Sequence, residues 1–343
     1  MLRTVFSSLG VLVGLAVILA SARPCSAEEK KPYPTMGNIE RADPRFDKLI
    51  PRDAVLEKLA GGFKWSEGPV WIRDGQYLLF SDIPNNRVMK WKEGEGLSVF
   101  LKPSGYTGSS PRGGESGSNG LTLDQAGRLV LCQHGDRRMA RLEKDGRFTT
   151  LCDRYQGKRF NSPNDAVFKS NGDLYFTDPP YGLTRGPEDP GREMNFSGIW
   201  RVATDGKVTL LTDKVAWPNG IAFSPDEKIL YIAQSDPKNS VWMAFDVQPD
   251  GTIANGRVLV DARSWPKHLR GLPDGMKVDK QGNLFCTGPG GLNVFSPEGT
   301  FLGRVNTGEL TANCCFGDDG SMLYITANMY LCRIKTTTKG IGF

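Results

Sequence analysis

Four short motifs each place one oxygen-bearing side chain at the start of an apolar run of this sequence. Two of these side chains are carboxylates and two are carboxamides: Glu67, Asn164, Asn219 and Asp274. Carboxylate and amide oxygens are the ligands that hard divalent cations prefer, so the set predicts one metal site. Ca²⁺ is the favoured ion, and Mg²⁺, Mn²⁺ and Zn²⁺ are alternatives that also accept oxygen ligands.

Two of the four motifs also have a purely structural interpretation. Asn219-Gly220 and Asp274-Gly275 are dipeptides of a kind that is common in tight turns. The four positions are far apart in the sequence, so a metal site requires a fold that brings them to one place. The elements around the motifs decide between the two interpretations.

These elements form a unit that occurs six times along the chain. Each unit is a predicted β-strand, a tight turn rich in Gly, Asn or Asp, and a second β-strand, as at 221–223 and 229–233. The spacings between equivalent points are 52, 45, 55, 55 and 39 residues. Such a period is typical of the four-stranded blades of a β-propeller. The equivalent points are Glu67, Asn119, Asn164, Asn219, Asp274 and Asn313.

The last unit ends soon after 331–334 and lacks a fourth strand, which the segment 54–59 is expected to supply. The predicted fold is therefore all-β, a six-bladed β-propeller over 54–343, closed by an N-terminal strand that completes the last blade. A β-sandwich or a pair of barrels is the alternative. In a propeller the first strand of each blade lines the central channel, so the equivalent points would converge at one end of it.

The N-terminus has the pattern of a signal peptide. Arg3 is followed by the apolar run 10–20 and by small residues, which predicts a signal peptide over 1–27, with cleavage after residue 22 as the alternative. The run is shorter than the roughly 20 residues of a membrane span, so no stable membrane anchor is expected. We expect export to the periplasm or the medium. The polar, Pro-containing stretch 28–53 is expected to lie over the surface or to be partly disordered.

Composition and motifs exclude several classes of function. The net charge of +5 is mild and no basic block alternates with aromatic residues, so a nucleic-acid partner is not expected. The chain has two His, no G-x-S-x-G, no P-loop and no dinucleotide-binding fingerprint, which argues against a serine hydrolase or a nucleotide enzyme. Six cysteines remain after cleavage, and buried free thiols are favoured over disulfides.

Four further polar residues are candidates for contact with a small substrate. Asn119 is the equivalent point of the second unit, and Glu115 belongs to the Gly/Ser-rich loop 104–118. His134 and Asp178 follow or end second strands and are expected near the channel mouth. A structural histidine and a solvated loop are the alternatives.

The four motifs, with Cys314-Cys315-Phe316-Gly317, resemble the gluconolactonase family that includes the senescence marker protein regucalcin. The resemblance covers about 55–334, and the stretches 120–124 and 132–138 look most like bacterial gluconolactonases. It implies a six-bladed propeller with one functional divalent metal. Carried over to this sequence, it implies Glu67, Asn164, Asn219 and Asp274 as ligands and Asp274 as the general base. The long loop 104–118 departs from the shorter animal members.

The expected activity is metal-dependent hydrolysis of a sugar lactone, D-glucono-1,5-lactone to D-gluconate on the resemblance. The expected partner is thus a small lactone, and the chain is expected to be a monomer or a weak oligomer. A metal-dependent phosphotriesterase or other esterase is one alternative. The other is a non-catalytic ligand-binding propeller with a structural calcium ion.

Overall fold

Six antiparallel sheets follow one another along the chain, and each corresponds to one of the sequence repeats. The structure is a computed structural model and describes residues 1–6 and 32–343. The sheets are the blades of a six-bladed β-propeller, so the predicted fold class is confirmed. Three short 3-10 helices, Pro44–Lys48, Ile83–Asn85 and Gly186–Glu188, occur in the described part. No helix in that part is long and apolar enough to cross a membrane.

The strands of each blade are given from the central channel outward. Blade 1 is Ser66–Ile72, Tyr77–Asp82, Arg87–Lys92 and Gly96–Leu101. Blade 2 is Ser118–Leu123, Leu129–Gln133, Arg138–Leu142 and Phe148–Cys152. Blade 3 is Ala166–Phe168, Leu174–Asp178, Gly198–Val202 and Val208–Thr212. Blade 4 is Pro218–Phe223, Ile229–Asp236, Asn239–Val247 and Ile253–Asp261. Blade 5 is Met276–Val278, Leu284–Gly288, Gly291–Phe295 and Phe301–Asn306. Blade 6 is Thr311–Gly317, Met322–Ala327, Tyr330–Lys335 and Glu57–Gly61. A two-stranded ribbon, Arg154–Tyr155 with Lys158–Arg159, follows blade 2.

Blade 6 is built from both ends of the propeller sequence. Its outermost strand, Glu57–Gly61, pairs antiparallel with Tyr330–Lys335, with Glu57 opposite Arg333. The Arg333 Nε donates a hydrogen bond of 2.6 Å to Glu57 Oε2, which adds a partly buried ion pair to the backbone ladder. This strand lies where the sequence predicted the missing fourth strand.

The extension before the propeller contacts blade 5. Asn38–Arg41 pairs with Phe301–Asn306 as a fifth strand, and the 3-10 helix Pro44–Lys48 follows it. Phe46 is fully buried in a cluster that contains Leu302. The described part of 28–53 thus pairs with the outer edge of blade 5 and adds apolar residues to the core. The predicted signal peptide 1–27 falls largely on residues 7–31, which lie outside the described residues.

Large aromatic side chains fill the spaces between neighbouring blades. Trp91, Trp200 and Trp242 occupy the third strands of blades 1, 3 and 4 and are fully buried. Trp91 lies 5.7 Å from the ring of Tyr324 in blade 6, and Trp242 lies 5.2 Å from that of Phe295 in blade 5. Burial of such rings dominates core energetics. The packing holds the blades at the angles that place their innermost strands around one channel.

The cysteines of the described part are buried and unpaired, as the sequence favoured: Cys132, Cys152, Cys286, Cys314, Cys315 and Cys332. Burial raises the pKa of the Cys314 and Cys332 thiols to about 12. A thiol with such a pKa stays protonated and reacts poorly with oxidants and disulfides. These residues therefore act as small core side chains.

We expect Phe46→Ala to lower the free energy of unfolding by about 3–5 kcal/mol, because it removes a fully buried ring from the core of blade 5. Urea denaturation followed by tryptophan fluorescence measures the change. Lys48→Ala, at an exposed position of the same 3-10 helix, is the control and should keep the wild-type midpoint. Equal midpoints for all three proteins would show that the extension does not contribute to the core.

Candidate metal and active site

One pocket of about 350 Å³ lies at the end of the channel where the innermost strands begin. Five of the six equivalent points line it: Glu67, Asn119, Asn164, Asn219 and Asp274. The predicted ligands, separated by up to 207 residues in sequence, are thus brought together. Trp65, Tyr181, Ser235 and Leu310 are among the other residues of the wall.

Irregular pairing of the innermost strands directs these side chains toward the channel. In blades 2 and 4 the register with the second strand shifts across Asn119 and Asn219, and in blade 1 it shifts directly after Glu67, which is paired with Ser81. Two residues then oppose one, which is the definition of a β-bulge, and a bulge re-aims the side chains beside it. The bulge thus sets the direction of the candidate side chains in these three blades.

In blades 3 and 5 the candidate ligand comes just before the regular part of the innermost strand. The Asn164 N–H donates to Thr177 O at 2.8 Å, and the Asp274 N–H donates to Thr287 O at 3.0 Å. The backbone is therefore paired at these positions as well. Each ligand is held by the second strand of its own blade.

The glycines after the ligands are required by close approach of neighbouring strands. A Cβ on Gly220 would lie 2.3 Å from Asp274 O, and a Cβ on Gly275 would lie 2.0 Å from Asn313 Cγ. Real Cβ atoms do not come that close to other atoms, so only glycine fits. Neither dipeptide forms a hairpin turn, which was the alternative interpretation from the sequence. Gly220 and Gly275 instead let the rim of the channel close around the pocket.

The amide ligands form a hydrogen-bonded arc across blades 2 to 5. Asn119 Nδ2 donates to Asn164 Oδ1 at 2.8 Å, and Asn164 Nδ2 donates to Asn219 Oδ1 at 2.7 Å. Asn219 Nδ2 donates to Ser235 Oγ at 3.0 Å, and that hydroxyl donates to Pro273 O. Each amide oxygen has two lone pairs; those of Asn164 and Asn219 each accept one hydrogen bond in the arc, and that of Asn119 accepts none. The amide orientations are thereby fixed with acceptor capacity left over.

The carboxylates of the site are held in an environment that disfavours their charge. Burial, followed by the negative charge of Asp165, raises the pKa of Glu67 to about 8. Burial and the charge of Glu67 also raise the pKa of Asp274 well above its ordinary value. Burial likewise raises the pKa of Asp165. A cation among these groups would restore their ionised forms, because it offsets both the desolvation and the mutual repulsion.

The donor set fits a hard cation. In the part of the chain that the structure describes, no group of three or more His, Cys, Asp and Glu side chains has the arrangement of a metal site. Glu67, Asn164, Asn219 and Asp274 are instead a mixed set of two carboxylates and two amides with unused acceptor capacity. The buried Asn119 Oδ1 has no hydrogen-bond partner at all. Such an all-oxygen set suits Ca²⁺ better than softer metals.

The predicted substrate contacts divide into two groups. Asn119 and Glu115 line the pocket, whereas His134 and Asp178 do not. The buried Asp178 carboxylate accepts hydrogen bonds from the backbone N–H groups of Asn161 and Ser162 at 2.8 and 2.7 Å. The Asp178 carboxylate points away from the pocket, because it is hydrogen-bonded to the backbone of the segment that leads to Asn164. His134 is fully buried, behind the pocket wall.

A set of hydroxyl groups without a sequence prediction joins four of the six pairs of neighbouring blades. Ser81, Thr177, Ser235 and Thr287, all in second strands, donate to carbonyl oxygens in or just before the innermost strand of the following blade. Recurrence of Ser or Thr at this one position of the repeat was a usable signal. These bonds hold the ligand-bearing strands at a constant separation around the channel.

Three further residues extend the polar network along the channel. Asn313, the sixth equivalent point, lies beside Asp165, with its Nδ2 3.4 Å from Asp165 Oδ2. The Lys277 ammonium opposes the rise in the pKa of Asp165 that burial causes. Glu67 and Asp165 therefore both have Asn313 as a hydrogen-bond donor and Lys277 as a nearby positive charge. The single sequence contained no pattern that marked Lys277 or Asp165.

Comparison with known proteins gives a family and several relatives. Residues 65–329 match the model of the SMP-30/gluconolactonase/LRE-like region. The chain is 39% identical to a gluconolactonase of Zymomonas mobilis over 340 residues, which cover 97% of this chain and 95% of that protein. It is 28% identical to a pentonolactonase of Haloferax volcanii, over 76% of this chain and 80% of that one. The solved structure of a gluconolactonase from Xanthomonas campestris superposes with a TM-score of 0.76 at 32% identity, covering 90% and 99% of the two chains.

We expect Gly275→Ala to lower the free energy of unfolding by about 1–3 kcal/mol, because the added Cβ overpacks the contact with Asn313. Thermal and urea denaturation measure the change. Gly113→Ala is the control, since a Cβ there meets nothing within 4 Å. If both variants are as stable as the wild type, the innermost strands can separate without cost and the close approach is not a constraint.

Proposed function

This chain belongs to the SMP-30/gluconolactonase/LRE-like family, and on that premise we propose that it hydrolyses a sugar lactone. D-Glucono-1,5-lactone is the favoured substrate and D-gluconate the product, by analogy with the gluconolactonase relatives. The observation that carries the proposal is the convergence of four oxygen ligands and one further amide on a single pocket. A pocket of this volume accommodates a six-membered sugar ring.

The proposal includes one divalent cation, Ca²⁺ in the favoured case, held by Glu67, Asn164, Asn219 and Asp274. When bound there, the cation would polarise the lactone carbonyl and stabilise the negative charge that develops on its oxygen. The support comes from the unused acceptor capacity of the amides and from the unfavourable burial of the carboxylates. Zn²⁺, Mg²⁺ and Mn²⁺ are the alternatives.

Asp274 is the proposed general base. Its side chain is partly exposed to the pocket, whereas Glu67 is almost fully buried. The Asp274 carboxylate takes a proton from water as the water oxygen bonds to the lactone carbonyl carbon. The ring C–O bond then breaks, and the proton passes to the departing ring oxygen, which becomes a hydroxyl group. Atoms and charge therefore balance as one lactone and one water give one hydroxy acid.

Asn119 is the proposed contact for a substrate hydroxyl. Its Nδ2 is committed to Asn164, so the side chain cannot turn freely. Its Oδ1 is an acceptor that no protein group uses. A substrate hydroxyl that donates to this oxygen would orient the ring over the metal ligands.

We expect Asp274→Asn to reduce kcat on glucono-1,5-lactone by about 10²–10⁴-fold, because the base is lost while the side-chain shape is kept. Asp250→Asn, an exposed turn residue, should leave kcat unchanged. Removal of divalent cations with a chelator should abolish activity, and added Ca²⁺ should restore it. A pH-stat assay of acid release measures each rate.

Three results would contradict the proposal in different ways. Full activity after chelation and in Asp274→Asn would exclude the metal-assisted mechanism. Turnover of phosphotriesters but of no lactone would favour the alternative esterase. A fall in melting temperature on chelation, without turnover of any lactone, would favour a binding propeller with a structural ion.

We also propose export, which is supported by the signal-peptide pattern over 1–27. N-terminal sequencing of protein from the periplasm or the medium should find a mature chain that begins at Glu28. A start at Arg23 would support the alternative cleavage site. Recovery of the uncleaved chain from the cytoplasm alone would overturn the proposal.

A further inference from the structure

The loop 104–118 is anchored at both ends and at its middle, although its Gly/Ser-rich sequence suggests a solvated segment. Asn86 Oδ1 accepts hydrogen bonds from the backbone N–H groups of Ser104 and Gly105 at 3.0 and 2.8 Å. Near the middle of the loop, one guanidinium N–H of Arg112 donates to Gly182 O. At the other end, the Gly117 N–H donates to Ile83 O at 2.9 Å. The loop is therefore held in a defined conformation, and it contributes Glu115 to the wall of the pocket.

Glu115 is the charged residue that this loop brings to the pocket. Its side chain is 37% exposed, and it lines the same cavity as Asp274 and Asn119. Its charge raises the pKa of Asp274, after burial and the charges of Glu67 and Asp165, so the two carboxylates face a common space. Unlike the candidate ligands, Glu115 lies on a loop and not at the start of an innermost strand.

His134 supports Glu115 from behind. Its Nδ1 lies 3.1 Å from Glu115 Oε2, which is a hydrogen-bond distance, although the ring N–H is not aligned with the oxygen. Such bonds commonly tighten only when substrate is bound. A Cβ on Gly182 would lie 2.5 Å from His134 Cβ, so the segment around Gly182 packs directly against the His134 side chain. His134 is thereby kept out of the pocket with one nitrogen next to the Glu115 carboxylate.

No other donor in the described residues 32–343 hydrogen-bonds to the Glu115 carboxylate, so its remaining lone pairs are available on the pocket side. A carboxylate in this position accepts hydrogen bonds from neighbouring hydroxyl groups of a sugar ring. Hydrogen bonds to a charged acceptor are about twice as strong as neutral ones. A site built to bind hydroxyls discriminates against a ligand that lacks them, because its polar groups then remain unpaired.

We propose that Glu115 is the specificity-determining residue of the pocket and His134 its positioning residue, and that together they select polyhydroxylated lactones over unsubstituted ones. The inference rests on the proposed function for the substrate class. It differs from that function in assigning recognition to the loop 104–118 and hydrolysis to the strand-borne ligands. Glu115 takes no part in bond breaking.

Binding of two lactams, which resist hydrolysis, tests recognition separately from catalysis. Isothermal titration calorimetry compares D-glucono-1,5-lactam with unsubstituted δ-valerolactam. We expect Glu115→Gln to raise the Kd of the hydroxylated lactam about ten-fold or more, since a charged acceptor is lost. The affinity for δ-valerolactam should not change. Glu188→Gln, at an exposed position outside the pocket, is the matched control and should behave as wild type.

Kinetics with the two corresponding lactones give a second readout. Glu115→Gln should raise KM for glucono-1,5-lactone by a larger factor than KM for δ-valerolactone. Any change in kcat that follows from loss of the charge near Asp274 should be the same for both lactones. His134→Phe should shift KM in the same direction by a smaller factor, because Glu115 stays in place but loses its support. If His134→Phe does not fold, Glu115→Gln still decides, because its partly exposed side chain keeps its shape.

The inference is overturned if Glu115→Gln weakens both lactams equally, if it weakens neither, or if the wild type does not bind the hydroxylated lactam. These outcomes differ from failure of the proposed function. The wild type could bind the hydroxylated lactam selectively through Glu115 and yet hydrolyse no lactone. That result would contradict the lactonase proposal but would support the role of Glu115 in recognition.

Discussion

The close approach of the innermost strands around one channel is the constraint on which the rest of the structure depends. Gly220 and Gly275 permit it, because any larger side chain would strike the neighbouring strand. The hydroxyls of Thr177 and Thr287 then bond across the gap to the next blade. Without this approach the amide side chains of blades 2, 3 and 4 would be too far apart to hydrogen-bond to one another. The geometry of the pocket thus follows from backbone packing.

The same constraint creates the electrostatic problem that defines the site. Glu67, Asp165 and Asp274 are placed in a narrow and poorly solvated space, where their charges oppose one another. The amide arc orients acceptor oxygens toward this space, and Lys277 compensates only part of the negative charge. A divalent cation is the simplest partner for such a group. The candidate ligands thus lie at the starts of the innermost strands, whereas Glu115 reaches the same pocket from the loop 104–118.

Much of this organisation was predictable because it repeats. Six strand–turn–strand units with one oxygen-bearing residue each indicated a propeller, and Glu67, Asn119, Asn164, Asn219 and Asp274 do line one pocket. Two of the predicted substrate contacts have no repeat signal and do not line this pocket. Asp178 and His134 are at plausible strand ends, but their side chains point into the protein, and no pattern in one sequence reports side-chain direction. The buried Phe46 lay in a segment whose polar composition suggested only surface.

The sequence by itself determined the number of blades, the candidate ligands and their chemistry, because periodic apolar strands and recurring Asn, Asp and Glu are local properties. Only the tertiary structure decided the role of the glycines after Asn219 and Asp274. They permit close contact between neighbouring strands and do not form turns. It also decided that Glu115 faces the pocket while His134 stands behind it. These facts depend on which blade lies next to which. That neighbourhood arises when the sheets pack around the channel, so it cannot be read from residues taken in order.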